Sequence, residues 1–212
     1  MIKNYNKILI LAPHTDDGEL GCGASIVKFI EEGCDVYYAA FSICEDSIPE
    51  GYPKNILEFE VKKAIKKIKI NEGNLMIFKY PVRKFPQYRQ EILEDLVELN
   101  RKINPDIVFL PSSFDIHQDH KTIFEEGRRA FKTQSLLGYE FMWNNFSFNS
   151  SCLIRINETH IQNKIDAIGE YKSQAKRFYA AEKMVKGLAN FRGLQISTEY
   201  AEAFEVIRWI IN

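Results

Sequence analysis

Apolar residues come in short, dense runs separated by polar breakers. Lys7 to Ala12 (Lys-Ile-Leu-Ile-Leu-Ala) does not alternate, which suits a strand covered on both faces. Pro13 ends it, and Gly18, Gly21 and Gly23 follow. Apolar positions 26, 27, 29 and 30 then predict a helix over Ala24 to Glu32, closed by Gly33. Asp35 to Phe41 reads as a second strand and Ser42 to Pro53 as a loop. Ile56, Leu57, Val61, Ala64, Ile65 and Ile68 recur at helical spacing. A strand over Leu75–Phe78, a helix around Ile92–Leu99 and a strand over Asp106–Leu110 follow, the last two separated by Asn104-Pro105. A helix is expected from about Asp119 to Lys132, then extended chain over Gly138–Trp143 and Ser147–Ile156. The remainder reads as helices near Glu158–Tyr171 and Gln174–Phe191 and a last strand over Tyr200–Ile210.

Strands alternating with helices predict an α/β class: a Rossmann-like three-layer α/β/α sandwich with a mostly parallel sheet. The chain has 212 residues and shows no repeat or dividing linker, so one domain over 1–212 is expected. Lys plus Arg is 28 against 29 for Asp plus Glu, a net charge of −1. That balance argues against a nucleic-acid partner, which needs a concentrated basic field. No apolar run approaches the ~20 residues of a membrane span. Met1 to Lys7 leads into too short an apolar stretch for a secretion leader. The four cysteines form no CxxC pair, and reduced thiols in a cytoplasm are the expectation.

Chemistry concentrates in two clusters. Pro13-His14-Thr15-Asp16-Asp17 follows the first strand, and Asp115-Ile116-His117-Gln118-Asp119-His120 follows the fourth. In a doubly wound sheet of order 3-2-1-4 those strands are neighbours, and a crevice opens beyond their carboxyl ends. Imidazole and carboxylate suit zinc and similar divalent ions, and a catalytic zinc takes three protein ligands and leaves one position for water. His14 and Asp17, three residues apart, can face one ion, with one histidine of the second cluster completing the set. Asp16 is then a spare carboxylate, which is what a hydrolase needs as general base. Gly18-x-x-Gly21-x-Gly23 lacks the spacing of a dinucleotide fingerprint and reads as tight helix–sheet packing. Asp119 suits an N-cap as well. His160 reads as an exposed helix residue. Arg83, after the third strand, and Arg192 are candidate contacts for an anionic group on a substrate.

The pairing of His14-Thr15-Asp16-Asp17 with His117-Gln118-Asp119-His120 resembles the LmbE-like, or PIG-L, family of zinc-dependent N-deacetylases. That family carries His-Pro-Asp-Asp near its start and His-x-x-His in mid-chain. Gly18-Glu19-Leu20-Gly21-Cys22-Gly23 and Tyr200-Ala201-Glu202-Ala203-Phe204 also look like family segments, so the similarity runs along nearly the whole chain. Thr15 stands where the family has proline, which bears on loop rigidity and removes no ligand. The resemblance implies His14, Asp17 and His120 as ligands of one Zn2+, or another divalent ion, per chain. It implies Asp16 as general base, and His117 to steady the charged intermediate or protonate the leaving amine. Asp119 would orient an imidazole. The implied substrate is a small N-acylated amino sugar or a conjugate of one, and closed homo-oligomers are common among relatives. The rivals are a non-catalytic sugar- or nucleotide-binding module on the same fold and a metal-dependent phosphoesterase. A phosphoesterase more often needs a second set of carboxylate ligands, and a binding module needs no spare carboxylate.

Overall fold

The computed structural model describes residues 5–211. Residues 1–4, which open the stretch read as no leader, and residue 212 lie outside the described residues, so the single-domain reading of 1–212 extends beyond them. Seven strands and six α-helices follow one another, alternating as far as β5: β1 Lys7–His14, α1 Asp17–Glu31, β2 Asp35–Ser42, α2 Ile56–Lys67, β3 Leu75–Ile77, α3 Arg89–Ile103, β4 Ile107–Pro111, α4 Gln118–Ala130, β5 Ser135–Tyr139, β6 Cys152–Ile156, α5 Glu158–Ile168, α6 Glu182–Leu194 and β7 Tyr200–Arg208. The sheet order is β3-β2-β1-β4-β5-β7-β6. The first five strands pair in parallel, and β7 runs antiparallel to both β5 and β6. Among the described residues, no helix is long and apolar enough to cross a membrane.

The dense apolar runs have the physical cause expected of them. Along β1, Ile8, Ile10 and Ala12 enter one core with Ile26, Leu57, Ile161 and Ala189 from α1, α2, α5 and α6. Leu9 and Leu11 enter a second core with Leu96 of α3 and Ile123 of α4. A strand buried on both faces cannot alternate apolar with polar, and the result is three layers. The order reverses between β1 and β4. Their pairing covers only Ile8–Ile10 with Ile107–Phe109, so Leu11–His14 and Leu110–Pro111 run on without each other. A crevice opens there, at the switch point of the sheet.

Three expectations are corrected. First, α1 begins at Asp17, well before Ala24, and bends at Cys22 (φ −146°, ψ 21°). Gly18, Gly21 and Gly23 lie inside this helix, and the first two pack tightly against the sheet, as their spacing suggests. A Cβ at Gly18 would come within 2.3 Å of the Tyr38 ring, and one at Gly21 within 2.6 Å of Tyr139. The N–H groups freed at the bend are taken up by Glu202 of β7, which accepts from Ala24 N at 3.3 Å and Ser25 N at 2.7 Å. Lys164 neutralises that buried carboxylate at 2.6 Å. Second, residues 174–181 are not the start of a helix. The Glu60 carboxylate accepts from Ser173 N at 2.9 Å and Ser173 Oγ at 2.6 Å. The chain then passes through short 3-10 turns at Lys172–Gln174 and Phe178–Ala180 before α6 begins. Third, His160 is buried. Its N–H donates to the Asn157 side chain at 2.9 Å, its ring accepts from Asn157 N at 3.3 Å, and its Nε2 lies 2.8 Å from Glu31. It caps α5.

Candidate metal centre

His14 is the last residue of β1, and Asp17 is the first of α1. The turn between them is held by its backbone. The Tyr38 and Tyr171 hydroxyls lie 2.8 and 2.7 Å from the Thr15 carbonyl, which gives the loop the rigidity that a proline would supply. His14 N donates to Asp17 Oδ2 at 2.7 Å, so the carboxylate folds back toward the strand end. His117 precedes α4, and His120 lies in its first turn. The crevice brings the two clusters together.

Three donor atoms form a nearly equilateral triangle. Asp17 Oδ2 is 3.1 Å from His14 Nδ1 and 3.2 Å from His120 Nε2, and the two nitrogens are 3.2 Å apart. Bonds of 2.0–2.1 Å in a tetrahedral zinc site require ligand atoms about 3.3 Å apart. The triangle therefore fits one face of such a site. His14, His117 and His120 also offer donor atoms within 4.8 Å of one another. The triangle containing Asp17 is the one whose three separations match the tetrahedral spacing.

A carboxylate stands behind each imidazole of the triangle. Asp119 Oδ2 lies 3.0 Å from His14 Nε2 and also accepts from Arg83 N at 2.6 Å, while Asp119 Oδ1 accepts from Phe85 N at 3.2 Å. Asp115 Oδ2 lies 2.7 Å from His120 Nδ1, and its Oδ1 accepts from His117 N at 2.8 Å. Such outer partners fix ring orientation and tautomer in metal sites. Asp119 is not the N-cap of α4. His117 is, its Nδ1 accepting from Asp119 N at 3.2 Å.

The electrostatics separate the members of the cluster. Burial opposes charge on His120, but the Asp17 and Asp115 carboxylates outweigh it and raise its pKa to about 10. Asp17, although buried, is held far below the usual carboxylate range by His120 and His14. Asp16 moves the other way. Burial and the charge on Asp17 raise it, and Arg177, 3.5 Å away, offsets part of the rise. Burial and the charges of His120 and His14 push His117 down to about 4. Its ring is neutral at neutral pH, and with Nδ1 accepting a backbone N–H the proton sits on Nε2.

His14, Asp16, Asp17, His117, His120 and Arg83 all line one cavity of about 300 Å³. Arg83 is fixed through its backbone at φ 67°, and its guanidinium reaches the Asp46 carbonyl at 3.4 Å. Arg192 is not brought to this cavity. It is buried, pairs with Glu140 and lies 3.1 Å from Gln195. Sequence reasoning gave no role to Asp115, although it stands in the quoted cluster five residues before His120. It also missed Arg177, Tyr179 and Trp143, which close the cavity. Tyr179 stacks on Trp143 at 3.9 Å between ring centroids, an arrangement that no local motif announces.

Comparison with known proteins places the chain in a family. A family model described as PIG-L, GlcNAc-PI de-N-acetylase, matches residues 9–131, a span that contains both clusters. The chain is 26% identical over 186 residues to the uncharacterized deacetylase YaiS of Escherichia coli (strain K12), covering 82% of this chain and 96% of that one. It is 24% identical over 180 residues to the diacetylchitobiose deacetylase of Thermococcus kodakarensis, covering 83% of this chain but 63% of that protein's length. The crystal structure of the conserved protein TT1542 from Thermus thermophilus superposes with a TM-score of 0.79 at 25% identity, covering 97% of this chain and 96% of that one.

Proposed function

The chain belongs to the PIG-L family of GlcNAc-PI de-N-acetylases, and from that premise we propose that it is a metal-dependent hydrolase. It removes an N-acyl group, N-acetyl first of all, from an amino sugar or a conjugate of one, leaving a free amine and a carboxylate. The observation that carries this reading is the 3.1–3.2 Å triangle of His14, Asp17 and His120 with Asp16 beside it and outside it. His14, Asp17 and His120 would hold the ion, with zinc the first choice. Zinc bound there would polarise the amide carbonyl and lower the pKa of water toward about 7.

The chain's own residues do the rest. Asp16 takes a proton from the attacking water, and the charge on Arg177 favours its ionised form. His117, with its proton on Nε2, donates toward negative charge developing on the carbonyl oxygen. Asp119 and Asp115 keep the rings of His14 and His120 aimed inward. As the C–N bond breaks, the proton taken from water passes to the nitrogen. Cytoplasmic residence belongs to the same proposal and fits four free cysteines.

A two-metal phosphoesterase needs further carboxylate donors for a second ion about 3.5–4 Å from the first. Asp115 and Asp119 are turned onto imidazole nitrogens instead. Zinc-loaded protein should therefore release amine and carboxylate in equal amounts from N-acetylglucosaminides and release no phosphate from phosphoesters. Phosphate release without amine release would replace the amidase reading with the phosphoesterase one.

Asp115 supplies a separate check. Asp115→Asn should keep the fold and weaken metal binding by about 10–100-fold, the usual cost of losing the carboxylate behind a ligating histidine. Metal competition against a chelator measures it. Unchanged affinity would mean that His120 needs no such support.

A further inference from the structure

A second cavity adjoins the metal centre. It measures about 330 Å³ and lies behind the 172–181 segment, between α5 and the start of α6. The two cavities share Asp16, Leu20 and Gln174. None of His14, Asp17, His117 or His120 lines the second one. Its remaining walls are mainly apolar, with Ile165, Ile168, Ala180 and Ala181 among them, while Lys172, Ala175 and Glu182 lie on its exposed rim.

Resting on the deacylase reading above, we propose that this cavity is an acyl-chain subsite, so that the substrate class includes amino sugars carrying N-acyl groups longer than acetyl. The argument concerns which side of the scissile amide each wall faces. Asp16 serves the water that attacks the carbonyl carbon. The histidines, with Arg83, line only the first cavity, and the sugar amine is accommodated there. The group on the base side of the carbonyl is then the acyl substituent, and the space continuing past Asp16 and Leu20 is far larger than a methyl group. A water's share of liquid volume is roughly 30 Å³, so a chain of several carbons fits. Its lining suits a hydrocarbon chain better than a second sugar, which needs buried polar partners. The balance is that of amide hydrolysis. Water adds oxygen to the carbonyl carbon, the C–N bond breaks, the amine leaves with the proton, and R–COO⁻ remains in the subsite for any length of R.

The test uses the zinc-loaded full chain with Ala175→Phe and Ala180→Phe, two substitutions on the 172–181 segment that fill the cavity from its rim and its wall. Calorimetry compares acetate with hexanoate, the two product carboxylates. Apolar burial is worth about fourfold in affinity per methylene, so hexanoate should bind the wild type at least roughly tenfold tighter than acetate. Both variants should reduce that preference to below about threefold. In turnover, the ratio of kcat/KM for N-hexanoyl- to N-acetylglucosamine should fall by at least about tenfold in each variant, the same burial being lost. Equal binding of the two carboxylates by the wild type would overturn the proposal. So would variants that leave both ratios unchanged, or variants whose losses are confined to substrates lengthened on the amine side. If hexanoate preference is present and sensitive to both variants but no N-acyl sugar is cleaved, the subsite stands and the hydrolase reading fails. If N-acetyl sugars are cleaved without any hexanoate preference, the hydrolase reading stands and the subsite falls.

Discussion

His120→Ala should empty the metal site and reduce turnover to near nothing, while His117→Ala should keep its metal and still be slow. The two residues look alike in sequence, but only His120 places a nitrogen within 3.2 Å of both His14 and Asp17. Without it two donors remain, too few for the three-ligand site that a catalytic zinc occupies. His117 leaves the triangle intact. Its loss removes one donor to the developing oxyanion, worth about 2.7–4 kcal/mol in comparable sites, or 10²–10³ in kcat. Elemental analysis and rates across pH, with zinc in excess, separate the pair. Because His117 is neutral above about 4, its donor is present throughout the working range. The His117→Ala profile should therefore drop in parallel with wild type and lose neither limb. Loss of the basic limb alone would mean that the ring works as an imidazolium acid. Metal occupancy carries its own pH dependence. Neighbouring carboxylates hold the proton on His120 up to about 10 in the free chain, and that proton must leave before the nitrogen can coordinate. Affinity should rise with pH, and metal uptake at neutral pH should release protons. Retention of zinc by His120→Ala and its loss in His117→Ala would reverse the ligand assignment.

Asp16→Asn should keep metal and fold and lower kcat by about 10²–10⁴, the range for loss of a general base. Asp16 lies outside the triangle, and its nearest charged partner is Arg177 at 3.5 Å. The amide matches the carboxylate in shape and cannot take a proton from water. Metal content by elemental analysis and kcat on an N-acetyl sugar form the paired measurement. If Asp16→Asn empties the site instead, the roles of Asp16 and Asp17 exchange.

The first four strands were legible because each is a short apolar run between breakers, three of them buried within the sheet and β3 half-buried at its edge. From their order followed the meeting of the two clusters at one crevice, while the choice of His120, 106 residues from His14, came from the family resemblance. What stayed illegible depends on distant partners. The glycine spacing suggested packing against the sheet, but not that α1 starts as early as Asp17 or that the Tyr38 and Tyr139 rings are what Gly18 and Gly21 pack on. The 174–181 stretch has helical spacing, but Glu60, more than a hundred positions away, fixes Ser173 and redirects the chain. Arg192 looked free in sequence because Glu140, its partner, is 52 residues off. Asp115 was visible, yet only its contact with His120 Nδ1 gives it a role.

The contact of Glu202 with Ala24 and Ser25 spans up to 178 residues and has a consequence for biosynthesis. Chains are made from the N-terminus, and pairings this distant form late. While the ribosome still holds Tyr200–Arg208, β6 has no strand to pair with, because β7 is its one neighbour in the sheet. The bend in α1 meanwhile lacks its acceptor, and α1 carries Asp17. The corner that brings the two clusters together, assembled from residues made early, is therefore framed only once Tyr200–Arg208 has emerged. A nascent chain stalled short of β7 carries His14, Asp17 and His120 without the frame that orients them.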